Sequence, residues 1–185
     1  MRLLLLFVLG VVGVSVPAMA ELQAFPPTAP GVTETKTLPA GVLLRSAGGG
    51  NYFERSGALF MPLFRYIERH DIAMTVPVEA RIDDAAMYFW VAESEAAKVA
   101  GDQGPVVVER RAARRVASHG VRGSYSQSNF TAARDRLLAW LATRPDLASA
   151  GEPYAVFWNG PFTPGFLRRF EVHVPVREIT AHPAP

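Results

Sequence analysis

The chain has 185 residues, 49% of them hydrophobic, with 19 Lys or Arg against 17 Asp or Glu and no cysteine. A net charge of +2 leaves no polybasic surface, which argues against nucleic-acid binding. Without cysteine there is no disulfide, no thiolate nucleophile and no Cys-ligated metal or haem.

Residues 1–20 read as a signal peptide. Arg2 precedes an uncharged apolar run from Leu3 to Val16, and Ala18-Met19-Ala20 supplies a small-residue cleavage site. The run is short for a bilayer span, which needs about 20 apolar residues, so cleavage is favoured over an uncleaved anchor. The expected address is the bacterial periplasm, with no membrane span once the signal is removed. Residues 21–31 carry Pro26, Pro27 and Pro30 and read as an extended lead-in. The domain proper is expected over residues 32–179, followed by an unstructured tail over 180–185.

Two stretches within the domain repeat one order of elements. In the first, Thr33 to Leu38 and Val42 to Ser46 flank Pro39-Ala40-Gly41, a hairpin signal. After Gly48-Gly49-Gly50, Asn51 and Glu54 resemble a capping box, and a helix runs to about Glu68 with Phe60, Leu63, Phe64 and Ile67 at helical spacing. Gly57 and Pro62 weaken that helix locally. Strands come next at Ala73 to Ile82 and Ala86 to Val91. In the second stretch, Pro105 to Arg111 and Arg114 to Val121 predict a hairpin around Ala112-Ala113. Ser126 or Ser128 caps a helix bearing Phe130, Ala133, Leu137, Leu138 and Leu141, which stops at Arg144-Pro145. Tyr154 to Trp158 and Phe170 to Val176 close the unit. Alternation along the last strand puts Phe170, Val172 and Val174 on one face and Glu171 and His173 on the other. Two ββαββ repeats, each with a helix over one apolar sheet face, predict an α+β fold: a distorted eight-stranded antiparallel β-barrel with two flanking helices.

Two motifs narrow the reading. Phe60-Met61-Pro62-Leu63-Phe64-Arg65-Tyr66-Ile67 leads into Ile72-Ala73-Met74-Thr75-Val76-Pro77-Val78, and a Pro-containing loop, Gly160 to Gly165, leads into Arg168-Arg169-Phe170-Glu171-Val172. The pair resembles the SOUL haem-binding protein family, in which a helix ending in Tyr-Ile precedes a Met-Thr-Ala/Val-Pro-Val strand. Phe170 departs from the family's usual Asn, and Gly101-Asp102-Gln103-Gly104-Pro105 replaces a Pro-rich connection. The resemblance implies a barrel of two related halves and non-covalent binding of haem or a related tetrapyrrole in a shallow apolar cleft beside the first helix, as carrier or scavenger. It assigns that cleft to Met61, Phe64 and Arg65, with Arg168 or Arg169 standing in for a loop cation that would fall near Thr163. Flat apolar surface suits Met and Phe, and arginine suits propionates. On pattern alone, Met61 and Phe64 equally suit core positions and Arg65 a solvated face.

Of the four histidines, His182 lies in the tail, and His119 and His173 read as surface or internally satisfied residues. His70, just past the first helix, is the one candidate axial ligand. No metal site and no catalytic residue is expected: the triple glycine lacks phosphate-loop context, Gly123-Ser124 is no nucleophile elbow, and the acidic pairs read as solvated. Arg110, Arg111, Arg114 and Arg115 bracket a turn and alternate between faces. Trp90, Trp140 and Trp158 read mainly as core. Two other functions stay open, a binding module for another amphipathic small molecule and a small-molecule hydrolase using Glu54, Glu68 or Glu171.

Overall fold

The computed structural model describes residues 22–160 and 162–179. The signal segment and the tail lie outside the described residues. Eleven strands and two long helices succeed one another: β1 (Leu22–Gln23), β2 (Thr33–Leu38), β3 (Gly41–Ala47), α1 (Tyr52–Arg69), β4 (Thr75–Val76), β5 (Val78–Arg81), β6 (Ala86–Val91), β7 (Val106–Arg111), β8 (Arg114–Arg122), α2 (Gln127–Ala142), β9 (Leu147–Ser149), β10 (Tyr154–Phe157) and β11 (Arg169–Glu178). Short 3₁₀ turns occur at Glu93–Lys98 and Gly165–Leu167.

Both helix starts are explained by their caps. The Asn51 side chain accepts from the Phe53 N–H at 2.9 Å, and Ser126, not Ser128, accepts from the Asn129 N–H at 3.2 Å. Pro62 sits inside α1 without ending it. The predicted strand over Ala73 to Ile82 is split, because Pro77 has no N–H to continue a ladder. Its first part, β4, pairs in parallel with β1, while β5 joins the main sheet.

That sheet has nine strands in the order β2-β8-β11-β10-β5-β6-β3-β7, with β9 added on β11. Exchanging β2, β3, β5 and β6 with β7, β8, β10 and β11 reverses this order onto itself, so the two ββαββ halves are related by a pseudo-two-fold between β5 and β10. Two expectations are corrected. Neither predicted hairpin forms: β2 pairs with β8 and β3 with β7, so each short connection hands the chain from one edge ribbon to the other. At the first of these, Gly41 passes under the Trp90 ring, where a Cβ would lie 2.6 Å from the indole. The sheet is also open. Among the described residues no ladder joins β2 to β7, so the expected eight-stranded barrel does not close, and those strands remain edges.

Both faces are buried. One packs on the helices: Leu59, Leu63, Tyr66 and Ile67 of α1 and Phe130, Ala133 and Leu137 of α2 meet Leu44, Phe89, Phe157, Phe170, Val172 and Val174. The other face carries Leu43, Tyr88, Trp90, Val116, Tyr154, Val156 and Trp158, and is covered by Phe25 from the segment before β2. β6 shows why a fully buried strand lacks a polar face. Its six residues alternate between the two clusters and all are buried. Glu171 and His173, expected on an outward face, are therefore interior, with no measurable exposure.

Candidate functional site

On the outer side of α1, Met61, Phe64 and Arg65 fall three and four residues apart and share a face. Met61 is 43% exposed. Phe64 is half-buried and stacks on Phe60 at 5.5 Å, and Phe60 in turn meets Phe89 of β6 at 5.5 Å. Next to them Pro62, Arg65, Tyr66 and Arg69 line a pocket of about 290 Å³ with Gln103, Gly104, Pro105 and Val106. Its outer wall is pinned by the buried Tyr66, whose hydroxyl donates to the Gly101 carbonyl and accepts from the Ala100 N–H, each at 3.0 Å. His70 ends the helix with its ring 4.6 Å from that of Tyr66 and Nε2 3.2 Å from Gln103 Oε1. One compact patch thus holds exposed thioether and aromatic surface, two guanidinium groups and a half-buried imidazole.

Arg168 and Arg169 stand elsewhere, at the entry to β11. The Arg168 Nε donates to the Thr163 carbonyl at 2.8 Å, and its guanidinium lies 5.1 Å from the Tyr125 ring. Tyr125 packs on Phe157 at 4.4 Å, and Phe157 stacks on Tyr52 in the first turn of α1. Arg65 is about 20 Å further along the helix. The structure therefore gathers Met61, Phe64, Arg65 and His70 into one neighbourhood and puts Arg168 and Arg169 at the helix's other end. The loop between β10 and β11 exposes Phe166 and Leu167 beside them.

A second constellation, unforeseen from sequence, lies on the far face of the sheet. Glu171 Oε1 accepts from Thr28 N and Trp158 Nε1, both at 2.7 Å. Its Oε2 meets Lys36 Nζ and His173 Nε2 at 2.6 Å and Ser118 Oγ at 2.8 Å. Burial alone would raise the Glu171 pKa; the His173 hydrogen bond and the Lys36 ammonium outweigh it and hold the carboxyl down at about 2. Burial pushes His173 below its ordinary value; its Nε2 donates to the acceptor-only carboxylate, and its Nδ1 faces the Tyr154 hydroxyl at 3.3 Å. The neighbouring Glu79, also buried, accepts from Trp90 Nε1 (3.0 Å), Arg111 (3.0 Å) and Arg114 (2.6 Å). Arg111 and Arg114 flank the Ala112-Ala113 turn, and only the pairing of β3 with β7 and β2 with β8 brings both to one carboxylate. The absence of polar alternation in β6 was the sequence signal for this second core. As candidate hydrolytic bases, Glu54 and Glu68 are exposed on α1 and Glu171 is saturated by five donors.

Among the described residues no group of three or more His, Asp or Glu is placed to hold a metal ion, and no helix is long and apolar enough to cross a membrane. A family model for SOUL heme-binding protein matches residues 27–175. The chain belongs to the SOUL haem-binding protein family. No curated protein sequence matches it. Solved structures share the fold at low identity. The C-terminal domain of EcmrR superposes with a TM-score of 0.64 at 12% identity, over 80% of this chain and 98% of that one. A hydrolase from Listeria innocua gives 0.53 at 14% identity, over 80% and 94%. At such identities the likeness of this SOUL-family chain to them concerns the fold alone.

Proposed function

We propose that this SOUL-family protein binds haem or a related tetrapyrrole on the outer surface of α1 and acts as an exported carrier or scavenger in the periplasm. The observation that carries this reading is the family match over residues 27–175, which includes both sequence motifs and all of α1. The residues present suit the group. Met61 and the Phe60–Phe64 stack offer a flat apolar face, Arg65 and Arg69 offer guanidinium groups for propionates, and His70 offers an imidazole nitrogen. A pocket of about 290 Å³ is at the lower bound for small-molecule sites, so the macrocycle would lie against the helix rather than inside the protein. Haem, when bound, supplies iron-centred redox and ligand chemistry; the chain's part is to seat the macrocycle, pair its carboxylates and set its exposure. Arg168 and Arg169, at the other end of α1, lie outside this patch, and Arg69 takes the place of the second cationic contact in this reading. Export rests on the sequence of residues 1–20.

Hemin titration of the purified protein tests the proposal. A saturable Soret shift is expected, weakened by Arg65→Ala, altered in position by His70→Ala and left unchanged by Arg168→Ala and Arg169→Ala. Unchanged absorbance through micromolar hemin would refute it. A co-purified ligand of another amphipathic class, seen by native mass spectrometry, would redirect it.

A further inference from the structure

The second face of the sheet is closed by the chain's own residues 22–32, and the contacts that hold them are those of a ligand in a groove. The Phe25 ring stands edge-on to Trp90 and Trp158 at 5.5 Å each and lies 6.0 Å from His173, with Lys36 Nζ 5.2 Å from its centroid. Backbone groups along the segment are read in turn. Ala24 N–H donates to the Val76 carbonyl (2.8 Å), Lys36 Nζ donates to the Pro26 carbonyl (3.1 Å), Thr28 N–H donates to Glu171 (2.7 Å), and Gly31 N–H donates to the Gly120 carbonyl (2.8 Å). Pro26, Pro27 and Pro30 keep the segment extended before it docks, so little chain entropy is lost on binding.

Three features mark a groove rather than an ordinary core strand. The segment joins no ladder of the nine-stranded sheet: its Leu22–Gln23 end pairs with β4, and its backbone bridges the main sheet at Pro30 to Gly120, the remaining contacts being made by side chains. Gly120 is cut back to admit it: a Cβ there would lie 2.3 Å from the Ala29 carbonyl oxygen and 2.6 Å from that of Thr28. Beside the segment, a cavity of about 600 Å³ runs along Leu22, Ala24, Gly41 and Trp90, leaving room for a longer occupant. The two buried carboxylates beneath it are satisfied without it, since Glu171 keeps Lys36, Ser118, Trp158 and His173, and Glu79 keeps Trp90, Arg111 and Arg114.

We propose that this face is a peptide-accepting groove whose resident occupant is Leu22–Val32, exchangeable for an extended, proline-bearing peptide of the same chemistry. The peptide supplies an aromatic side chain to the Trp90–Trp158 slot and, three residues later, a backbone N–H to Glu171. The groove and the α1 patch lie on opposite faces of the sheet, so the outcome of the hemin titration does not bear on it.

The test uses the whole chain carrying Phe25→Ala and a labelled synthetic peptide, Leu22–Val32. In the unaltered chain the tethered segment competes at an effective concentration of about 1 mM and keeps the peptide out. Losing the Phe25 ring weakens the tethered segment about a hundredfold. The native peptide is then expected to bind the variant saturably, to change the emission of Trp90 and Trp158, and to bind about tenfold or more tightly than a peptide with Ala at the Phe25 position. Equal binding of both peptides, or none by the folded variant, overturns the proposal. Should the variant not fold, native-state hydrogen exchange on the unaltered chain decides. The amides of Ala24, Thr28 and Gly31 are expected to exchange through a local opening, about tenfold or more faster than those of Ser118 and Val172. Exchange of all five only together with the sheet would show a groove that never empties, and the proposal would fall.

Discussion

Glu171→Gln keeps the size of the side chain and removes its charge, and the geometry fixes the consequence. Placed at Oε1, an amide nitrogen would face Thr28 N–H and the Trp158 indole N–H, neither of which can accept. Placed at Oε2 it can be accommodated by Ser118 and His173, which can turn to accept, but the Lys36 ammonium at 2.6 Å cannot. At least one buried donor is stranded either way. Two routes give the size of the loss. Lowering the carboxyl from its ordinary value of 4.5 to about 2 corresponds to about 3 kcal/mol of folded-state stabilisation. Breaking a buried ion pair from one side costs about 3–5 kcal/mol, and Lys36, with 15% of its side chain exposed, can recover some hydration and so favours the lower end. Urea unfolding at neutral pH should therefore show a deficit of about 3 kcal/mol. The folded pKa lies below the unfolded one, so this stabilisation is complete above pH 4.5 and disappears as pH falls toward 2. The deficit should narrow over that window. A difference under about 1 kcal/mol at neutral pH, or one that stays constant down to about pH 3, would refute the assignment of Glu171 as a buried, ionised hub.

Gly120→Ala should drive the Thr28 and Ala29 carbonyls off β8 and expose Phe25, costing about 2 kcal/mol or more and altering the near-UV dichroism of Trp90 and Trp158; an unchanged spectrum would contradict the close approach. Leu137→Ala in α2, at a position with no exposure, should lose about 2–5 kcal/mol in denaturant unfolding, while the helix-face partners of β11 stay in register. Trp90→Phe should remove the indole N–H that Glu79 accepts at 3.0 Å and cost about 1–3 kcal/mol, with a smaller effect if Arg111 and Arg114 satisfy the carboxylate alone. Burial of His173 holds its pKa below the ordinary value. Stability tied to its neutral form is therefore complete above the unfolded value near 6.5 and is lost as pH falls below it, so NMR titration should find the ring uncharged at neutral pH.

Local chemistry was legible in the sequence. Asn51 and the Ser126–Ser128 pair announced helix starts, apolar spacing placed Leu63, Ile67, Phe130 and Leu137 inward, and the repeated order of strands and helix indicated two like halves. The motifs around Met61 to Val78 and Arg168 to Val172 located the family. A string of residues cannot specify which strands pair across it, because a ladder depends on partners far apart in the chain. The exchange of β2 and β7 between halves, the open sheet edges and the convergence of Arg111 and Arg114 on Glu79 all come from that pairing. Side-chain parity put Glu171 and His173 opposite Phe170 and Val172, as the sequence required. Only tertiary structure decided that this opposite face is not solvent, because a proline-rich segment some 140 residues earlier in the chain folds back to place Phe25 over it and a backbone N–H on Glu171.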